Sequence, residues 1–297
     1  MSDARQPQRI HNPTNIDAAA LREAIATDGQ VIVQFGEHFD AAPMLADLDA
    51  LAATCGAALE IRFYGYHFTP FDAAILRALP HAANLSLDCH TSAVNLEVLG
   101  ELRHLKQLQL GVYDMLEHDI LALENLRGLQ YLNLGETRKA NIDLAPLRHW
   151  PHLAQLHFIL GGRASIAEVA APLLEELEVV RVRGLEDLGD LGRFPRLRRL
   201  SVEDQIKVKE IRLGANPALE WLILRNCKTL EGLYGLAALP ALRKLAVYLT
   251  QLDIDALLAA GLPATLHNLT LATGKRKRDE EIHARLSAMG YDKARFY

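Results

Sequence analysis

The feature that most constrains this chain is a short apolar pattern, L-x-x-L-x-L, that recurs at intervals near 23 residues. Ten segments fit it, either strictly or with an aliphatic or small substitute, and their second apolar positions are Leu85, Leu108, Leu132, Leu156, Leu177, Leu200, Ile211, Leu222, Leu245 and Leu269. Self-similarity at a fixed period of about 20–50 residues is typical of repeat architectures, in which each repeat covers the apolar face of the next. The pattern therefore predicts one repetitive core, although 297 residues could hold two ordinary domains.

The spacing of these segments also predicts the number of strands. Most neighbours are 21 to 24 residues apart, and the segment around Ile211 divides one 22-residue period into two steps of 11. Two looser copies, around Leu59 and Val33, extend the ladder towards the N-terminus by 26 and then another 26 residues. We therefore expect about twelve strands.

Between the strands, apolar residues recur at every third position and not at the 3, 4, 3, 4 spacing of an α-helix. A three-residue period aligns side chains along one edge, as in 3₁₀ turns, and suits a narrow connector that leads directly into the next strand. Four prolines within these runs also disfavour a continuous α-helix. They are Pro146, Pro151, Pro195 and Pro240.

The registered strand segments and the three-residue leucine ladder together resemble the leucine-rich-repeat proteins, over roughly residues 55–272. The period of about 22–24 residues is similar to that of short bacterial internalin-like repeats. The resemblance implies an α/β solenoid, a curved horseshoe with a parallel β-sheet on its concave face, 3₁₀ or short α segments on its convex face and helical caps at both ends. Only Cys227 clearly keeps the Asn or Cys that such repeats place after the last strand leucine, so we expect a less regular ladder of turns.

Helices are predicted at the ends and in the atypical repeats. A segment that begins at Asn15 and is stopped by Gly29 predicts an N-terminal capping helix. Residues 279–290 predict a C-terminal cap helix, with acidic residues in the first turn and glycine at the end. Convex helices are expected at 40–55, 71–80 and 253–261.

No linker rich in Ser, Pro or Gly divides the chain, so we expect a single domain over 1–297. Within it we assign the N-terminal cap and first atypical repeat to 1–54, the repeats to 55–272 and the C-terminal cap helix to 273–297. The basic run Lys275 to Arg278 is offset by the three acidic residues that follow it, and we interpret it as a solvated junction before the cap helix.

Charge and cysteine content bear on partners and compartment. A net charge of −5 gives no global attraction for polyanions, which argues against nucleic acid or an anionic membrane as the main partner. No apolar stretch is long enough to span a bilayer, and the polar start lacks the core of a secretory signal. The three cysteines include no C-x-x-C pair, as expected for thiols in a reducing compartment. We therefore expect a cytoplasmic protein.

Arrangements that could carry chemistry are weak in this sequence. Asp88, Cys89 and His90 combine an acid, a thiol and an imidazole, but neighbouring strand residues point to opposite faces, so Cys89 cannot contact both. The histidines at 149, 152 and 157 are close in sequence, although spacing alone does not define a metal site. The glycine pairs at 161–162 and 189–192 lack the spacing of a phosphate-binding loop. We expect no catalytic residue, metal, cofactor or small-molecule substrate.

The residues between the strand leucines form the candidate site, because period-two alternation sends them to the face opposite the core. Tyr, Trp and Arg among them are the residue types that dominate binding hot spots. Trp221 lies at such a position, where it either anchors a partner or is partly buried against the strands of Arg199 or Lys244. The predicted partner-binding residues are Arg62, Tyr64, Asp88, His90, Gln109, Tyr113, Tyr131, Asn133, Glu136, His157, Glu178, Arg199, Glu203, Arg212, Trp221, Arg225, Lys244 and Tyr248.

These features predict a bacterial, non-catalytic protein that binds another protein through its concave face. The resemblance favours an antitoxin-like immunity protein that occludes a toxin, or a scaffold. The alternative is an effector delivered into a host cell, by analogy with bacterial leucine-rich-repeat ubiquitin ligases. Only about 25 residues follow the last strand motif, which is too few for the catalytic domain of such a ligase.

Overall fold

A computed structural model of the chain describes residues 7–65, 69–114, 119–135 and 142–293, without the side chain of Cys89. The chain divides into two compact units, Met1–Pro146 and Leu147–Tyr297. Each unit is built mainly from short parallel strands, and 3₁₀ segments are more frequent in the connectors of the first unit than in those of the second. No helix within the described ranges is long and apolar enough to cross a membrane.

The first unit contains a parallel sheet whose strands follow the chain order β1-β2-β3-β5-β6-β7, while the short β4 pairs with the end of β5. Equivalent leucines face each other in register, so that Leu85 lies beside Leu108, which lies beside Leu132. The strands are β1 (Gln8–His11), β2 (Val31–Gly36), β3 (Leu59–Tyr64), β4 (Phe71–Asp72), β5 (Asn84–Val94), β6 (Gln107–Asp114) and β7 (Tyr131–Gly135).

The second unit repeats this arrangement with the parallel order β8-β9-β10-β12-β14-β15. Leu177, Leu200 and Leu222 are in register on neighbouring strands, and all are buried. The strands are β8 (Gln155–Ile159), β9 (Glu176–Val180), β10 (Arg199–Glu203), β11 (Glu210–Arg212), β12 (Trp221–Arg225), β13 (Gly232–Tyr234), β14 (Lys244–Tyr248) and β15 (Asn268–Ala272).

The leucines at every third position form the apolar side of the connectors, as predicted. Leu96, Leu99, Leu102 and Leu105 are all buried, and a 3₁₀ segment spans the first two of them. The 3₁₀ segments are Gly56–Ala58, Ala73–Ala78, Leu96–Glu101, Ile120–Ala122, Glu124–Gly128, Ala145–His149, Leu191–Arg193 and Leu236–Ala238. Parallel strands with buried leucines and narrow 3₁₀ connectors confirm the predicted leucine-rich-repeat architecture.

Three of the predicted helices lie close to where they were expected. They are α1 (Ala18–Asp28), α2 (Ala42–Cys55) and α3 (Ile254–Ala259). The Asp17 carboxylate accepts the backbone N–H groups of Ala19 and Ala20 at the start of α1, and Gly29 ends it with a φ of 81°. However, α1 connects β1 to β2, so the outermost strand of this sheet is β1, which was not predicted.

The prediction of a helix over 71–80 was wrong. The segment forms β4 and then a 3₁₀ segment, Ala73–Ala78. Ala73, Leu76 and Leu79 are fully buried at a period of three, which is the period of the other connectors and not that of an α-helix.

The fourth helix, α4 (Arg276–Ala288), begins three residues earlier than predicted. The basic run therefore contributes to the first turn of this helix and is not a junction before it. The Asp279 carboxylate accepts the backbone N–H groups of Thr273 and Gly274, which fixes the chain entering the helix. Ion pairs from Arg276 to Glu280 and from Arg278 to Asp255 balance the basic charge.

The segment around Ile211 does not join the main sheet of the second unit. Strand β10 pairs directly with β12 over five residues, whereas β11 pairs with β13 in a separate two-stranded sheet. One 22-residue period therefore separates Leu200 from Leu222, and Ile211 belongs to the connector between them.

Candidate binding face

The polar strand face of the second unit consists of the side chains between the buried leucines of β8, β9, β10, β12 and β14. Its residues are Gln155, His157, Glu176, Glu178, Arg199, Ser201, Glu203, Trp221, Arg225, Lys244 and Tyr248. Because the strands are parallel and in register, equivalent positions of successive repeats are direct neighbours. The face is therefore a set of rows that run across the strands.

Trp221 lies between two cationic side chains in one of these rows. Arg199 precedes it on β10 and Lys244 follows it on β14, and all three occupy the same register position. The Arg199 guanidinium carbon is 4.3 Å from the centroid of the indole ring, and the Lys244 Nζ is 4.8 Å from it. These distances are within the range of cation–π interactions, so both neighbours fix the orientation of the ring.

Lys244 carries a positive charge in a buried position. Burial, followed by the nearby charge of Arg199, lowers the pKa of its ammonium group. Within the part of the chain that the structure describes, no carboxylate forms an ion pair with Lys244. This row therefore contains two cations, one on each side of Trp221, and among the described carboxylates only Glu176 comes near one of them, at 3.9 Å from Arg199.

Acidic groups concentrate on the neighbouring strands around His157. The His157 Nε2 is 3.3 Å from an oxygen of Glu176, and its Nδ1 is 3.2 Å from an oxygen of Glu178. The hydrogen bond with His157 lowers the pKa of Glu176. Burial raises the pKa of Glu178, and the nearby carboxylates of Glu203 and Glu176 raise it further. The charge of His157 acts in the opposite direction.

Glu203 extends this acidic region to β10 and is itself buried. Its carboxylate forms an ion pair with Arg225 and accepts a hydrogen bond from Ser201 Oγ at 2.9 Å. Asp204 follows it and accepts hydrogen bonds from Asn226 at 2.6 Å and Arg181 at 2.8 Å, which lower its pKa. Many predicted binding residues thus have partners within the chain already.

In the first unit the corresponding polar side chains form one hydrogen-bonded network. Arg62 donates through Nε and one terminal nitrogen to the two oxygens of Asp88, at 3.0 and 2.8 Å. It also donates to Gln34 at 2.8 Å, and Gln109 donates to Asp88 at 3.0 Å. The guanidinium lies 4.7 Å from the centroid of Tyr64, so predicted residues of three strands are held together.

His90 does not lie on the polar face of the first unit, contrary to the prediction. The pairing of β5 with β6 shifts in register between Leu87 and His90, so strict alternation fails there. His90 is buried, its Nε2 is 3.0 Å from the carbonyl oxygen of Phe63, and its ring is 4.7 Å from that of Phe71. These rings line a cavity of about 290 Å³.

Three other predicted residues also differ from expectation or cannot be placed. Arg212 lies on β11, outside the main sheet, where it pairs with Glu210 at 2.5 Å and stacks on Tyr234. Asn133 is on the expected strand but is buried. Glu136 lies outside the described residues.

Of the remaining predicted residues, Tyr113 is exposed, and Tyr131 and Tyr248 are partly exposed on their strands. Alternation placed Glu176 on the polar face, but it was not included among the predicted partner-binding residues, although it contacts both His157 and Arg199. The repeat register contains the signal that identifies it, because Glu176 and Glu178 are each 21 residues after Gln155 and His157.

The buried Cys227 thiol is not an activated nucleophile. Burial raises the pKa of the Cys227 thiol to about 11, and its sulfur lies 3.3 Å from the carbonyl oxygen of Val202. A thiol in this state is a structural group, because the thiolate is the nucleophilic form.

No family model and no curated protein sequence matches the chain. Among solved structures it is similar to an internalin from Listeria monocytogenes str. 4b F2365, with 16% identity, 79% of this chain and 76% of that chain covered, and a TM-score of 0.39. It is also similar to a leucine-rich-repeat protein of Leptospira interrogans, with 12% identity, 77% and 86% covered, and a TM-score of 0.23. At these TM-scores the fold assignment depends on the repeat register and the parallel strands of this chain itself.

Proposed function

We propose, from the premise that this chain is a leucine-rich-repeat protein, that it binds a protein partner through the polar strand face of its second unit. The observation that carries the proposal is Trp221, held between Arg199 and Lys244. The indole is at a strand position that faces away from the core, and Trp and Arg are the residue types that dominate interface energies.

The charges around Trp221 favour an acidic group on the partner. Lys244 is buried and has no ion pair among the described residues, and a desolvated cation is costly until a counter-charge reaches it. A partner carboxylate placed against Arg199 and Trp221 would supply that charge. The side chain of Arg199 is half exposed, so its guanidinium is accessible to such a group.

The proposed mechanism is steric and non-catalytic. The aromatic anchor would fix the partner, while the surrounding ion pairs set its orientation and the rate of association. An immunity protein that occludes a toxin is the form of this function that we propose first, and a cytoplasmic scaffold is the second.

Capture of partners by matched variants would test the proposal. The immobilised full chain would be exposed to lysate of the source cells as wild type, Trp221→Ala and Tyr234→Ala. Tyr234 is a suitable control because it also stacks on an arginine, Arg212, but lies on β13 outside the main sheet. We expect one protein to be retained by wild type and Tyr234→Ala, lost with Trp221→Ala, and released by increasing salt.

Equal recovery of every protein by all three forms would contradict the assignment of this face. Lys244→Met provides a second readout, because it removes a buried charge and keeps the length of the side chain. We expect it to weaken retention of the partner while the protein itself becomes no less stable to urea.

A further inference from the structure

Three metal-binding side chains converge on two neighbouring strands of the second unit. His157 is on β8, and Glu176 and Glu178 are on β9, with His157 directly beside Glu178 in the strand register. One ligand atom from each residue can be chosen so that the three atoms lie within 4.8 Å of one another. Their positions follow from the repeat itself, which stacks equivalent residues of consecutive strands.

The histidine lies between the two carboxylates. Its two ring nitrogens are 3.3 and 3.2 Å from oxygens of Glu176 and Glu178, respectively. A neutral imidazole carries only one N–H and can donate to only one of them. The other ring nitrogen is an acceptor and can serve as a metal ligand beside the carboxylate oxygens.

We propose that His157, Glu176 and Glu178 bind a divalent transition metal of the zinc class. This inference departs from the expectation of no metal, and it does not depend on the proposed partner. It would give the polar strand face a metal centre in addition to its aromatic anchor.

The ligand set and its spacing suit this class of ion. Zinc accepts imidazole nitrogen and carboxylate oxygen at about 2.0–2.2 Å, which places neighbouring ligand atoms of a tetrahedron about 3.3–3.5 Å apart. The 3.3 Å between the His157 Nε2 and the Glu176 oxygen is close to that spacing. The Glu178 oxygen at 3.2 Å faces the other ring nitrogen, Nδ1, so the three ligand atoms, which lie within 4.8 Å of one another, would have to move closer together around an ion. Magnesium and calcium prefer oxygen ligands alone, so an imidazole in the set disfavours both of them.

The surroundings hold the ligands in place and leave a position open. Gln155 donates from Nε2 to Glu176 at 3.1 Å, the kind of outer contact that orients a metal ligand. Arg199 is 3.9 Å from Glu176, and Arg225 pairs with Glu203 on the next strand. Three carboxylates thus face two guanidinium groups, which leaves a negative excess when His157 is neutral.

The side chains of the three ligands keep 12, 24 and 30% of their exposure, so solvent reaches the cluster. Three protein ligands with an accessible fourth position are typical of zinc sites that bind water or an external ligand. A ligand atom from another molecule could occupy that position.

Zinc titration of the full-length protein tests the proposal. The protein would first be treated with a chelator, and Zn²⁺ binding would then be measured by competition with a chromogenic chelator. We expect one tight site in the wild type, an affinity at least tenfold lower in both His157→Gln and Glu178→Gln, and no competition from millimolar Mg²⁺.

The matched control is His152→Gln, which changes an exposed histidine in the connector that precedes β8. It should bind zinc as the wild type does, and circular dichroism and urea unfolding would verify that all variants fold. If His157→Gln does not fold, Glu178→Gln alone decides, because it keeps the size and hydrogen-bonding capacity of the side chain.

The absence of a tight zinc site in the wild type, or an affinity in both His157→Gln and Glu178→Gln equal to that of the wild type, would overturn the proposal. This titration contains no protein partner, and the capture experiment can be performed with chelator present. Failure of the metal proposal can therefore be distinguished from failure of the partner-binding proposal.

Discussion

Arg62 on β3 meets Asp88 on β5 through two parallel hydrogen bonds of 3.0 and 2.8 Å. The two side chains are only 17 and 14% exposed, so this pair is shielded from solvent although it lies on the polar side of the sheet. Paired guanidinium and carboxylate groups of this kind combine charge with a fixed geometry.

We predict that Arg62→Ala lowers the free energy of unfolding by about 1–2 kcal/mol, because Asp88 then loses charge-assisted hydrogen bonds in a partly buried place. Arg62→Lys should recover only part of this loss, since an ammonium group cannot form the two parallel bonds. Urea unfolding measures both changes.

The control for this prediction is Arg77→Ala. Arg77 also forms several hydrogen bonds with a carboxylate of the next repeat, Glu101, but these side chains are 52 and 53% exposed. Solvent screens such pairs, so we expect no measurable change in stability. If Arg62→Ala and Arg77→Ala lower the free energy of unfolding equally, shielding from solvent does not determine how much such a pair contributes to stability.

Gly235 and Gly261 have the same backbone conformation but different surroundings. Both have a φ of 88°, yet a Cβ on Gly235 would lie 2.0 Å from the carbonyl oxygen of Leu213, whereas one on Gly261 would meet nothing within 4 Å. We predict that Gly261→Ala costs about 1–2 kcal/mol from the left-handed backbone alone. Gly235→Ala should cost about 3 kcal/mol or more, because the backbone must also move.

Thermal unfolding of the two glycine variants measures this difference. Gly235 precedes the 3₁₀ segment Leu236–Ala238, and Leu213 donates its N–H to the carbonyl of Tyr234 at 2.9 Å. The larger loss should therefore come with disruption of the β11–β13 sheet. A Gly261→Ala variant that is as unstable as Gly235→Ala would contradict the steric explanation.

The repeat register predicted most of the architecture because the leucines are buried at fixed intervals. It failed for the segment around Ile211, whose local pattern matches that of the other strands. Pairing is decided by the neighbours, since β10 already bonds to β12 along its whole length and leaves β11 to pair with β13. A sequence pattern cannot reveal which of two similar segments occupies a place in a sheet.

The candidate face was predicted residue by residue where alternation holds, as for Arg199, Trp221 and Lys244. It failed at His90, because a shift of register on β5 turns the side chain inwards. The sequence predicted an irregular ladder of turns. It did not predict which side chain replaces the asparagine or cysteine of the turns. Arg193 donates to the carbonyl oxygens of Val169, Ile166 and Leu188, which an asparagine or cysteine motif does not predict.

The cysteines should differ sharply in reactivity. Burial raises the pKa of Cys227 to about 11, so roughly one part in a thousand is thiolate at pH 8. Cys55 is partly exposed at the end of α2. In a Cys89→Ser background, we predict that a chromogenic thiol reagent modifies one thiol rapidly in the native protein and the second only after unfolding.

Mass spectrometry of the labelled peptides would identify the thiols, and Cys55→Ser in the same background should abolish the rapid phase. Labelling of Cys227 at the same rate as Cys55 would contradict the buried position of its sulfur. Because the buried Cys227 thiol donates to the carbonyl oxygen of Val202 on the neighbouring strand β10, we expect its modification to require opening of the surrounding repeats.

The stability of the protein should depend on pH through His90. Burial lowers its pKa, and the charge of Arg62 acts in the same direction. The hydrogen bond to the Phe63 carbonyl and the charge of Asp88 raise the pKa but do not outweigh burial. As the pH falls below about 6.5, the unfolded chain takes up a proton before the folded protein does, so the free energy of unfolding decreases. The stability that depends on neutral His90 is fully present above this pH. Its loss levels off once the pH is below the pKa of His90 in the folded state. Urea unfolding between pH 5 and 8 should therefore show a steeper decline for the wild type than for His90→Gln, which cannot titrate, and equal slopes would exclude His90 as the cause.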